Sequence, residues 1–172
     1  MRALLDSLYR LSGALAALGM VATLLMVSAG VVSRSLGLYL AGSDDYAGYA
    51  MAACGFLALA YTFKHGEHIR VSLVLERVGP RLRRALEWGS LAAATAVAGM
   101  LAWYAVRLAW QSYEFEEVSQ GVDATPLWIP QLSMAIGTVV LLIAIVDDLV
   151  LTTLGRAPRR LAGAGAEAAR ME

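Results

Sequence analysis

Charge is scarce in this chain: 16% of its 172 residues are Asp, Glu, Lys or Arg, against 59% hydrophobic. Soluble domains run at roughly 45–50% apolar and about 25% charged, so the composition excludes an ordinary water-soluble globule. It excludes disorder as well, because disordered chains are poor in apolar residues. A single cysteine, Cys54, rules out a disulfide framework and any multi-cysteine metal site. Lysine occurs once, as Lys64, and the formal net charge is zero, so no global positive field favours nucleic acid. The only histidines are His65 and His68. Two imidazoles and Glu67 fall short of a four-ligand metal set, which leaves these histidines a structural or lipid-facing role. Ser72, Ser90 and Ser119 have no histidine base at a recognisable spacing, and no phosphate-binding glycine loop is present. The residues therefore predict no enzyme, no catalytic group, no cofactor and no metal.

What the chain does have is long charge-free runs. Leu11–Ser33, Tyr46–Phe63, Trp88–Val106 and Ala124–Val146 contain 23, 18, 19 and 23 residues without a charge. At about 1.5 Å per residue, roughly 20 apolar residues cross a hydrocarbon core about 30 Å thick. Lipid offers the backbone no hydrogen-bond partner, and the period-two alternation of a barrel is not visible, so helices are expected. The predicted fold is an all-α integral membrane protein of four transmembrane helices over about 11–33, 46–63, 88–106 and 126–148. Residues 1–155 form the membrane domain and 156–172 a cytoplasmic tail. A cleaved signal peptide fits poorly, since the first apolar run exceeds the about 7–15 residues of a signal core.

Orientation follows from the positive residues flanking the spans. Arg2, Arg10, Lys64, Arg70, Arg77, Arg81, Arg83, Arg84, Arg156, Arg159, Arg160 and Arg170 share one side, and only Arg34 and Arg107 lie on the other. Both termini are thus expected in the cytoplasm, while Asp44, Asp45, Glu114, Glu116, Glu117 and Asp123 face outward. Between spans two and three, Val71, Val74, Leu75 and Val78 follow the i, i+3, i+4, i+7 stripe of an amphipathic helix. With Arg70 and Arg77 on its other side, this predicts an in-plane cytoplasmic helix over about 67–79. Gly79-Pro80 ends it, and Pro80 suits the first turn of the next helix. Trp88, Trp103, Trp110, Trp128, Tyr104 and Tyr113 mark the ends of spans three and four.

Within the spans, an acid or base for ion coupling is missing, since their central stretches carry no charge. Small residues do recur: Ser90, Ala94 and Ala98 in span three, at four-residue steps, and Gly48 and Ala52 in span two. Such faces let backbones approach closely in lipid, and Ser90, Ala94 and Ala98 form the candidate helix-packing face. Arg34 at the end of span one and Asp44 with Asp45 at the start of span two form a candidate structural ion pair. The alternative is separate solvation of these charges among headgroups. Asp147 and Asp148, near the end of span four, oppose its macrodipole and call for a basic neighbour such as Arg83 or Arg84.

Gly42-Ser43-Asp44-Asp45, a small-residue-rich span, and then His65-Gly66-Glu67-His68-Ile69-Arg70-Val71 together resemble the small (Q-type) permease subunit of tripartite ATP-independent periplasmic (TRAP) transporters. An arginine closing span one maps to Arg34, the acids opening span two to Asp44 and Asp45, and a Gly-x-His-Ile-x-Val segment to Gly66, His68, Ile69 and Val71. The start of span four, Leu127-Trp128-Ile129-Pro130, is similar too, and the resemblance covers roughly residues 10–155. The chain departs from the pattern at Ser72, where members often carry an acid, and at Ala53 and Cys54, where a bulky aromatic is common. The resemblance implies a scaffold subunit of a sodium-driven importer in the bacterial inner membrane. It implies two partners, a large permease subunit and a periplasmic substrate-binding protein, and an organic acid as solute. The other class compatible with the residues is a membrane anchor or assembly subunit of an enzyme complex.

Overall fold

Apolar runs of this length satisfy their backbone groups in lipid only by closing i to i−4 hydrogen bonds. The computed structural model describes residues 2–38, 40–65 and 79–154. Four helices fill nearly all of it: α1 (Arg2–Ser35), α2 (Ser43–His65), α3 (Pro80–Glu114) and α4 (Trp128–Thr153). Each is long and apolar enough to cross a membrane. Among the described residues there is no strand, only a single bridge between Val118 and Pro126 in the α3–α4 loop. The expected interfacial helix over 67–79 and the tail lie outside the described residues, apart from Gly79, which caps α3.

The helices extend beyond their charge-free runs. α1 takes in Asp6 and Arg10 and α3 starts at Pro80, because charged first and last turns can sit among headgroups. Pro130 stands third in α4, where the helix needs no donor from it.

Packing follows the order α1, α2, α4, α3, with α1 and α4 touching only briefly. A core at one end draws on all four helices: Tyr9 from α1, Ala60 and Phe63 from α2, Leu91 and Ala98 from α3, and Val140, Ala144 and Ile145 from α4. A smaller cluster of Ala105, Ala109 and Ala135 joins α3 to α4 nearer the other end. Elsewhere large apolar side chains face outward, among them Leu18, Leu24 and Leu25 on α1 and Val97, Met100 and Trp103 on α3. An apolar surface this extensive belongs in lipid or against a partner, not in water.

Glycine permits close contacts between helix backbones. At Gly137 of α4, a Cβ would fall 2.5 Å from the Phe56 carbonyl carbon and 3.0 Å from the Leu57 amide nitrogen of α2. At Gly19 of α1, it would fall 3.1 Å from the Ala50 carbonyl oxygen. Ser12 of α1, buried, donates its hydroxyl to the Leu57 carbonyl. The Phe56–Leu57 stretch of α2 is thereby approached from both neighbouring helices.

Candidate functional site at the acidic end of the bundle

One end of the bundle is built from the α1–α2 turn and the α3–α4 loop. The turn closes through the Leu38 amide, which donates to the Ser33 carbonyl at 2.9 Å, and through the Ser33 hydroxyl, which donates to the Leu38 carbonyl at 2.7 Å. Arg34 occupies the last turn of α1 and Asp44 and Asp45 the first turn of α2, so each charge complements its own helix dipole. Arg34 Nη2 donates to both Asp44 oxygens, at 2.8 and 2.9 Å. Both side chains are largely exposed, at 65% and 80%, and in water such a pair contributes about 0–1 kcal/mol.

Asp45 does not share this arginine. Its carboxylate lies against Gly121 of the α3–α4 loop, where a Cβ would stand 3.0 Å from Asp45 Cγ. Reciprocally, Asp123 of that loop lies against Gly42, where a Cβ would stand 2.7 Å from Asp123 Oδ2. Gly42 also has φ +72, so both space and conformation require glycine there. The two loops are thus fitted together through glycine. A cavity of about 300 Å³ opens beside them, lined by Gly30, Arg34, Leu40, Asp44, Asp45 and Val122.

The α3–α4 loop holds its own shape. The Ser119 amide donates to the Thr125 carbonyl at 2.8 Å, and the Leu127 amide donates to the Glu117 carbonyl at 2.9 Å. The fully buried Ser112 hydroxyl donates to Glu117 Oε2 at 2.6 Å. α3 ends in the paired 6→1 and 5→2 hydrogen bonds of a Schellman motif, Glu117 N to Ser112 O and Glu116 N to Tyr113 O. The left-handed position of that motif, ordinarily glycine, is taken by Glu116 at φ +50.

At the opposite end, Lys64 of α2 pairs with Asp6 of α1, and its Nζ lies 4.8 Å from the centroid of the buried Tyr9 ring. Sequence reasoning missed this pair, although opposite charges at the start of one span and the end of its antiparallel neighbour are a usable signal. His65 stacks on Tyr61, with ring centroids 4.1 Å apart, and its Nδ1 lies 2.8 Å from the Tyr61 carbonyl oxygen. Asp148 of α4 is buried, and Asp147 is partly so.

Of the small-residue row, Ser90 is exposed and donates to the Glu87 carbonyl at 3.0 Å. Ala94 is partly buried and Ala98 is 5% exposed, both against the four-helix core. That part of the row faces inward within this chain. Gly48, by contrast, has nothing within 4 Å of where a Cβ would stand. Gly66, His68, Ile69 and Val71 lie outside the described residues. Among the described residues, no group of three or more His, Cys, Asp or Glu side chains is placed to hold a metal ion.

A family model for the DctQ component of tripartite ATP-independent periplasmic transporters matches residues 23–155. Comparison with curated proteins finds no match. The matched stretch runs from within α1 to just past the end of α4, taking in both loops of the acidic end. It is a family of transporter components, not of enzymes. With four membrane-length helices and a match over most of its length, the chain belongs to the DctQ family, the small permease subunits of TRAP transporters, as a multi-pass inner-membrane protein.

Proposed function

We propose that this subunit braces the large permease subunit in the bilayer and helps to dock the substrate-binding protein, while a sodium gradient drives import of an organic acid. The family match carries the reading. The central stretches of the spans hold no charge that could couple an ion, which suits a subunit that supports transport rather than performing it. The acidic end, with its two loops fitted together at Gly42 and Gly121, suits a docking face on the periplasmic side. In this reading both termini are cytoplasmic, as the distribution of arginines favours, and residues 67–79 lie in the cytoplasmic interface.

The test is purification of the tagged chain from native membrane, followed by uptake in proteoliposomes with and without a sodium gradient. A co-purifying multispan permease, and uptake that requires both the gradient and this chain, would support the proposal. Co-purification with an enzyme complex instead would favour the anchor reading.

A further inference from the structure

Two cavities adjoin at the acidic end, between α3 and α4, and share the same rim. The first, of about 470 Å³, is apolar and is walled by Val106, Ala109 and Trp110 of α3 and Leu132, Ile136 and Val139 of α4. The second, of about 570 Å³, lies where the loop begins and is lined by Glu114, Glu116, Val118 and Pro126. Tyr113 and Trp128 line both, and their rings meet edge to face at 5.7 Å. The Glu114 and Glu116 carboxylates are exposed and have no hydrogen-bond or ion-pair partner among the described residues. Arg107, the cation of this part of α3, lines neither cavity.

We infer that the paired cavities bind one phospholipid whose headgroup carries a primary ammonium. An acyl chain lies in the apolar groove and the ammonium sits against Glu114 and Glu116. Depth favours a lipid. From Trp128 to Val140 the groove runs about 18 Å along α4, close to half of a hydrocarbon core about 30 Å thick. It begins at an aromatic rim of the kind that marks the membrane–water interface and stops near mid-membrane. That is the reach of an acyl chain from one leaflet. Charge selects the headgroup. Two unpaired carboxylates above the rim attract an ammonium and repel a lipid whose only charge is its phosphate.

The test is native mass spectrometry of the full chain in detergent, with equal amounts of phosphatidylethanolamine and phosphatidylglycerol of the same acyl composition. The parent should retain one phosphatidylethanolamine with about fivefold preference, the upper range for a charge pair at exposed positions. Glu114→Gln with Glu116→Gln, at exposed positions, should bring the two lipids to parity without loss of helix content by circular dichroism. Ile136→Trp, on the open wall of the groove, should reduce retention of both. Equal retention of the two lipids by the parent would overturn the inference, as would an unchanged preference in the double variant. It would also fail if Ile136→Trp left lipid retention intact but abolished co-purification of the large subunit, because the groove would then hold a partner helix.

Discussion

Gly137 of α4 and Phe56 of α2 meet main chain to main chain, with no side chain between them. A Cβ at this glycine would have to displace the Phe56 carbonyl, and that carbonyl is fixed inside a helix whose next residue, Leu57, accepts the Ser12 hydroxyl. Gly137→Ala is therefore expected to weaken the bundle by about 1–3 kcal/mol, the range for overpacking. Thermal unfolding in detergent would show it. Gly48→Ala, where nothing lies within 4 Å of the new methyl, should leave the midpoint unchanged or slightly raised.

Two ion pairs tie α1 to α2 among the described residues, and they should differ in strength. Arg34 and Asp44 are 65% and 80% exposed, whereas Lys64 and Asp6 are 24% and 43% exposed and Lys64 also lies by the Tyr9 ring. A double-mutant cycle on Arg34 and Asp44 should give a coupling of at most about 1 kcal/mol. The cycle on Lys64 and Asp6 should give the larger value, and the opposite ranking would contradict the role assigned here to exposure.

Glu116 occupies a left-handed backbone position that disfavours side chains by about 1–2 kcal/mol. Replacing it with glycine removes that cost but adds flexibility to the unfolded chain, which offsets about 0.5–1 kcal/mol of it. Glu116→Gly should therefore raise stability by up to about 1 kcal/mol, and the β-branched Glu116→Val should lower it. Paired melts of the two variants decide the matter.

Orientation can be tested directly. A reporter active only in the periplasm should be silent when fused after Arg156 and active when inserted near Gly121. In the assembled transporter, His65→Gln with His68→Gln should leave substantial uptake, and complete loss with normal assembly would assign these imidazoles a chemical role.

The four helices were readable in the sequence because lipid imposes one rule on every span, and an apolar run obeys it whatever its neighbours. The partner of Arg34 was readable only as a choice between two. Adjacent residues on a helix diverge by about 100°, so Asp44 turns towards α1 and Asp45 towards Gly121. The close contacts escaped prediction for another reason. Gly19 and Gly137 gain their meaning from Ala50 and Phe56, residues distant in sequence, and no spacing within one helix announces that. Periodicity instead singled out Ser90, Ala94 and Ala98, of which Ser90 remains exposed.

The helices are unequal in length, 23 and 26 residues for α2 and α4 against 34 and 35 for α1 and α3. At 1.5 Å per residue the two inner helices reach about 34–39 Å and the two flanking ones about 51–53 Å. No bilayer of a single thickness matches both sets, so the shorter pair fixes the tolerable thickness and the surplus of the longer pair must emerge or tilt. α2 has little slack: Asp44 stands in its first turn and Lys64 in its last. From Asp44 to Lys64 the helix rises about 30 Å, the depth of an ordinary hydrocarbon core, so in a thickened bilayer those two charges would be the first drawn towards hydrocarbon.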